Sequence, residues 1–267
     1  MDPLDRATSL YLEGNYQEAL GEYLSALVQS PDDPRVHCGL GEVLEALGRP
    51  GEALLAFEQA LRLDPGHAWA HFGRGGVLQG LGRYGEATAA YRRAGELAPG
   101  EVAFHRALGI VLYLRDDLEG SVAAYRQALK ADPEDALSHY GLGLDLDALG
   151  WSEQAITAYE RAVACDPEDA WSHLRLAGLL ARGRRAGATE HLRQAKALLG
   201  EGDVWGQAIL AVLRGHMEQG LSRVREAVER LPESTDWLAR DPDLEPLQAD
   251  ERFWLILRAG RHGRRKP

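Results

Sequence analysis

The sequence predicts an all-α solenoid of stacked antiparallel helix pairs, about seven units long and closed by a C-terminal helical cap. Three observations predict it. Residue types recur every 34 positions: aromatics at Tyr23, Phe57, Tyr91, Tyr125 and Tyr159, and prolines at Pro31, Pro65, Pro99, Pro133 and Pro167. A period of that length marks a repeat architecture. Inside a unit the apolar residues Leu40, Val43, Leu44 and Leu47 step by three and four, as one face of a helix does. Each apolar run then meets a breaker, Gly48 after the first and Asp64–Pro65 after the second.

Each unit is therefore helix, tight turn, helix. Units fall near 1–33, 34–67, 68–101, 102–135 and 136–169. Leucines recur at Leu10, Leu44, Leu78, Leu112, Leu146 and Leu180, and small residues at Ala7, Gly41, Gly75, Gly109, Gly143 and Ala177. The small residues let neighbouring helices approach, and the aromatics fill the space that remains. Past residue 170 the pattern drifts. A sixth unit, 170–200, lacks one residue in its turn, and in a seventh, 201–233, Ala208, Ala211, Gly215, Gly220, Val224, Ala227 and Pro232 stand in for the ladders. The stretch 234–258 breaks the period: Trp237, Leu244, Leu247, Phe253, Trp254 and Leu257 are interrupted by Pro242 and Pro246. A stack of repeats leaves an apolar end that something must cover, and this stretch is the expected cap. Residues 259–267 are expected to be a basic, flexible tail.

The period, together with "LG…LG…EA…F…AL…DP" from Leu40 to Pro65, resembles the tetratricopeptide repeat family over residues 2–169. The resemblance implies a right-handed superhelix with the first helix of each pair on the concave side. In that family the concave face commonly holds a peptide or a helix of another protein. The ending "DPDL…L…D.RF" looks, more weakly, like the endings of some bacterial repeat proteins. The family's two-carboxylate clamp needs Lys, Asn, Asn, Lys and Arg. The corresponding places hold Leu4, Thr8, Gly39, Trp69 and Gly73, so that use is set aside.

Composition narrows the function classes. A formal net charge of -11 disfavours nucleic acid as a partner, because phosphate backbones would be repelled. Two cysteines, Cys38 and Cys165, make neither a disulfide framework nor a cysteine zinc site. The start lacks a secretory pattern and no long apolar run spans a membrane, so the cytoplasm is the expected compartment. No nucleotide, zinc-protease or hydrolase motif is present, so no catalytic residue, cofactor or metal is assigned and the chain is read as a non-enzyme. The acid pairs in "RDPDLE" and "LDLDALG" are read as ordinary in a chain rich in Asp and Glu.

Five histidines, His37, His71, His105, His139 and His173, share the period. In the family that the sequence resembles, the equivalent first-helix place packs inside the unit, which implies that each ring is mostly buried between the two helices of its own pair. Equivalent helices lie about 8–10 Å apart, too far for these rings to share a metal ion. Buried neutral imidazoles predict a loss of stability as pH falls below about 6.5.

The partner-binding surface follows from the family resemblance and from the faces that packing leaves over. In the third unit it is Trp69 and Phe72, with Gly76 as a shallow floor. In the fourth it is Arg106, Ile110 and Tyr113, in the fifth Tyr140, Leu144 and Asp147, and in the sixth Trp171, Arg175 and Arg182. Cys38, Glu42 and Glu45 make the early end acidic. Exposed aromatics and arginines are typical of binding hot spots. The expected ligand is an amphipathic segment of another protein, with an apolar anchor and an acid near Arg106. Self-association of the solenoid is the alternative.

Overall fold

One position in every turn sets the helix-turn-helix geometry. Gly14, Gly48, Gly82, Asp116, Gly150 and Arg184 follow the period, and all have left-handed backbone, with φ between +52° and +79°. Glycine reaches that region without the clash a Cβ makes with the carbonyl, whereas Asp116 and Arg184 reach it against that clash. Helix starts are equally regular. Asp33, Asp117, Asp135, Asp169 and Asp203 each accept a bond from a backbone N–H in the first turn of the following helix. Proline opens α-helices at Pro3, Pro34 and Pro50, where its missing N–H costs nothing.

The computed structural model describes residues 2–231 and 235–263, with backbone alone at 236, 237 and 261–263. The described residues are helical throughout, in two units that divide after Leu149. The first unit holds α1 (Pro3–Leu12), α2 (Tyr16–Gln29), α3 (Pro34–Ala46), α4 (Pro50–Leu63), α5 (Ala68–Gly80), α6 (Tyr84–Leu97), α7 (Val102–Leu114), α8 (Leu118–Ala131) and α9 (Ala136–Ala148). Each helix packs on the next, and first helices also touch first helices, as in α1–α3, α3–α5 and α7–α9.

The aromatic ladder is the centre of that packing. Phe57 of α4 is fully buried between two glycines. A Cβ on Gly41 of its own pair would lie 2.8 Å from the ring, and one on Gly73 of the next pair 2.4 Å. Tyr125 stands likewise between Gly109 and Gly141. The small-residue ladder is therefore a set of seats for rings.

The second unit holds α10 (Ser152–Cys165), α11 (Ala170–Arg182), α12 (Ala188–Leu198), α13 (Val204–Leu213) and α14 (Met217–Arg230). Four further elements close it: α15 (Thr235–Arg240), a 3-10 turn (Pro242–Leu244), α16 (Glu245–Gln248) and α17 (Glu251–Gly263). Leu238, Leu244, Leu247, Phe253 and Leu257 share one core with Ile209, Val224 and Val228 of the last helix pair, which is what a cap must do. Residues 259–263, expected to be part of a flexible tail, are helical, because α17 runs through Gly263. Pro232, the side chain of Trp237 and residues 264–267 lie outside the described residues.

The histidine ladder is corrected in place and in role. His37, His71, His105 and His139 are half-buried, and only His173 is buried. Each Nε2 bonds the carbonyl of the proline six residues earlier, at 2.7, 3.1, 3.1, 2.9 and 3.1 Å in chain order. A carbonyl only accepts, so Nε2 carries the proton. The two ladders are one device: the histidine ties each first helix to the turn before it. At His173 the other nitrogen, Nδ1, faces Nδ1 of His191 at 2.9 Å. Among the described residues no group of three or more His, Cys, Asp or Glu is placed to hold a metal ion.

Candidate functional site on the first-helix faces

A period of 34 residues turns equivalent first-helix positions into rows. In the first unit one row runs Cys38, Phe72, Arg106, Tyr140. The next runs Glu42, Gly76, Ile110, Leu144, and the third Tyr11, Glu45, Gln79, Tyr113, Asp147.

The aromatic part of this face is half scaffold, half surface. Phe72 packs 4.9 Å, ring to ring, from the fully buried Phe104 of the next pair and 5.6 Å from Tyr91. Trp69 leans edge-on against Phe104 at 4.8 Å and still exposes 46% of its surface. Ile110 is 40% exposed. Tyr113, Tyr140, Leu144 and Asp147 are half-buried. Sequence reasoning missed Phe104, whose register is filled by serine in the fifth and sixth pairs, at Ser138 and Ser172.

The charged part differs from expectation. Arg106 is bound by Asp135 of this unit at 2.7 Å, and Asp135 also caps α9. The expected site for a partner's acid at Arg106 is therefore already filled. The acidic end has no such partner in the ion pairs of the described residues. Glu42 and Glu45, one turn apart on α3, face the same way. Burial pushes the Glu42 carboxyl above its ordinary range, and burial with repulsion from Glu42 does the same to Glu45. Glu45 reaches over Gly76, whose Cβ position lies 3.3 Å from its Oε1 and 3.8 Å from the Tyr91 hydroxyl. That hydroxyl donates to Gln79 at 3.0 Å. Cys38 is buried beside Glu42, which raises its thiol pKa further and makes it a poor nucleophile.

In the second unit the same face is filled by the chain itself. Arg175 is buried, and its guanidinium donates to both oxygens of Asp241 and to Asp243, each at 2.8 Å. Arg182 also pairs with Asp243. Trp205 of α13 donates from Nε1 to Asp241 at 3.1 Å, and the Arg175 guanidinium lies 5.6 Å from the centre of the Trp171 ring. Gly178, at the repeat position of Glu42 and Ile110, leaves the space that Asp243 occupies. Burial works to raise Asp241, but the Arg175 guanidinium outweighs it and holds the carboxyl below its usual range. At Asp243 burial prevails over both guanidiniums and the pKa is raised. Trp171, Arg175 and Arg182 are thus corrected from partner-binding residues to the seat of the cap. The signal for this was the "RDPDLE" acid pair, read in the sequence as ordinary.

Comparison with known proteins agrees with this architecture. Tetratricopeptide repeat models match residues 4–68, 38–102 and 136–169, and a TPR repeat model matches 111–146. The chain belongs to the tetratricopeptide repeat family. No curated protein matches it. Among solved structures it is similar to YrrB, a TPR protein with an unusual peptide-binding site, at 20% identity and a TM-score of 0.60, over 72% of this chain and 97% of YrrB. It is similar to PilF of Pseudomonas aeruginosa at 19% identity and a TM-score of 0.62, over 81% of this chain and 97% of that one. A chain of the APC/C hetero-tetramer Cut9–Hcn1 is similar at 18% identity and a TM-score of 0.64, over 79% of this chain and 42% of that one. Identities this low carry the fold. Among the described residues no helix is long and apolar enough to cross a membrane.

Proposed function

We propose that this protein is a non-enzymatic scaffold that holds a segment of a partner protein along the first-helix face of residues 1–149. The observation that carries the proposal is the exposure of Trp69 and Ile110 on a face where Phe72 is packed and Tyr113 and Tyr140 are half-buried. An aromatic fixed from below by Phe104 and open above offers contact area with little further loss of freedom. The likeness to YrrB supports a peptide ligand, and membership of the family supports protein partners in general.

The test compares wild type with a Trp69→Ala, Ile110→Ala variant in pull-downs from a cell extract of the native host. These two side chains are exposed, so the variant keeps its helical circular dichroism. Partners retained by wild type and lost by the variant are expected. Identical partners on both would place binding elsewhere. A mass in light scattering that rises with concentration, alongside an empty pull-down, would favour self-association instead.

A further inference from the structure

The first-helix face of the first unit carries apolar exposure and negative charge side by side. Ile110 and Glu42 belong to one row and Gly76 lies between them. At Gly76 the missing side chain leaves a notch floored by the Tyr91 hydroxyl and rimmed by the Glu45 carboxylate. The atoms nearest that notch are all oxygens, of Glu45 and Tyr91. Tyr91 has already given its hydrogen to Gln79, so its oxygen is left with acceptor capacity. Arg106, a cation on the same face, is held by Asp135.

Resting on the scaffold reading above, we propose that the partner segment is basic: a Lys or Arg enters the notch at Gly76 beside Glu45, with Glu42 one turn away on α3, and an apolar residue of the same segment covers Ile110. A cation there has two favourable consequences. It relieves the repulsion between two neighbouring carboxylates, and it gives the half-buried Glu42 and the exposed Glu45 the counter-charge they lack among the described ion pairs. The spacing follows from geometry. Adjacent first helices lie about 8–10 Å apart, and an extended chain rises about 3.3 Å per residue. The cation and the apolar anchor are therefore about three residues apart, in either chain direction. The charge is the reverse of the acid that Arg106 suggested from sequence.

The pH dependence has a definite sign. Bound cation favours the ionised carboxylates, so binding releases protons, and affinity falls as pH drops through the raised pKa values of Glu42 and Glu45. The titratable groups against them are Tyr11, Tyr23, Cys38 and Tyr91, which stay neutral across that range.

The experiment selects binders from a displayed library of random twelve-residue peptides on the full chain. Kd values of the enriched peptides are then measured by fluorescence anisotropy. The expected result is enrichment of Lys or Arg about three residues from a Leu, Ile, Met or Phe. A Glu42→Gln, Glu45→Gln variant should bind these peptides at least tenfold more weakly while its melting temperature holds or rises. Removing two charges that repel each other does not weaken a fold, so that split separates a binding role from a structural one. Enriched peptides without basic residues, lost with Trp69→Ala and Ile110→Ala but kept by the Gln variant, would overturn the basic anchor and leave the scaffold reading standing. Peptides indifferent to all of these changes, or no enrichment above a protein-free control, would overturn both.

Discussion

The first-helix faces of the two units show opposite solutions to one problem. In the second unit Arg175 and Arg182 meet Asp241 and Asp243 of the same chain, and the face is closed. In the first unit the face carries Glu42 and Glu45 with no cation in the described ion pairs, beside exposed Trp69 and Ile110. The closed face shows what an occupant looks like: a short irregular segment that places charge against charge over a glycine, Gly178. The open face has the same plan with the sign reversed, Gly76 taking the part of Gly178. A segment that brings the missing charge is what distinguishes them.

The largest effect should come from breaking the closed face. Arg175→Ala leaves two buried carboxylates without their main cation, and removing one partner of a buried ion network costs about 3–5 kcal/mol. Denaturant unfolding of the variant should show that loss. A second variant, Arg175→Met with Asp241→Asn and Asp243→Asn, should recover most of it, because no buried charge is then left unpaired. A loss under about 1 kcal/mol for Arg175→Ala would mean the cap is held by Phe253 and its apolar neighbours alone.

A second contrast is between the buried acids. Asp241 and Asp243 have arginines. Asp145 in α9 has none among the described residues: it meets the Ser121 hydroxyl, its Oδ2 is unpartnered, and burial pushes its pKa up to about 7. It stands where Val43, Val77 and Val111 stand in the other repeats, and Ser121 stands where Ala19, Ala53 and Ala87 do. The unfolded carboxyl titrates near about 3.9. The folded state therefore holds the proton up to about pH 7, and stability falls as pH rises from about 4 to 7. Asp145→Val should stabilise by about 3 kcal/mol at pH 8, from a shift of about three units at 1.36 kcal/mol each with some allowance for relaxation. The gain should shrink toward pH 4. A gain independent of pH would show that the carboxyl is not the cause.

Turn strain ranks next. Arg184 and Asp116 hold the left-handed place that glycine holds in the other helix-pair turns, at Gly14, Gly48, Gly82, Gly150 and Gly215. Arg184→Gly should stabilise by roughly 1 kcal/mol and Asp116→Gly by less, since Asp tolerates that region better. Thermal melts of the two variants against Gly48→Ala, which should lose stability by a similar amount, check the ordering.

The helix pairs, their turns and the ring seats were legible because each is carried by one residue type repeated at one spacing. Gly41 and Phe57 both stand in the ladders read from the period, whereas Gly73, the other seat of the Phe57 ring, stands outside them. The charged contacts were not legible. Arg106 meets Asp135 across 29 positions and Arg175 meets Asp241 across 66, and no local pattern marks such partners. Both acid pairs read as ordinary, in "LDLDALG" and "RDPDLE", contain buried acids, and the departure from the repeat was the available signal at Asp145. The rows of the open face could be written from the period. Which aromatic of the open face packs, as Phe72 does, and which stays open, as Trp69 does, depended on Phe104.

The smallest effect concerns the histidine ladder. His71 donates to the Pro65 carbonyl, and protonating the ring leaves that donor in place. The bond therefore survives acid. What acid does cost is burial of charge: burial lowers the folded pKa of His71 below its ordinary value, with Arg93 and Arg74 nearby adding to the shift. The unfolded chain then binds its proton first, so the contribution is complete above about pH 6.5 and is lost as pH falls through the folded pKa. His71→Leu should cost about 1 kcal/mol at pH 8, the net worth of one hydrogen bond. It should cost less at pH 5, where the wild-type ring has itself lost ground. Denaturant unfolding of wild type and His71→Leu at the two pH values gives both numbers. An equal loss at each would assign the ladder to its prolines alone and leave the half-buried rings without a titration.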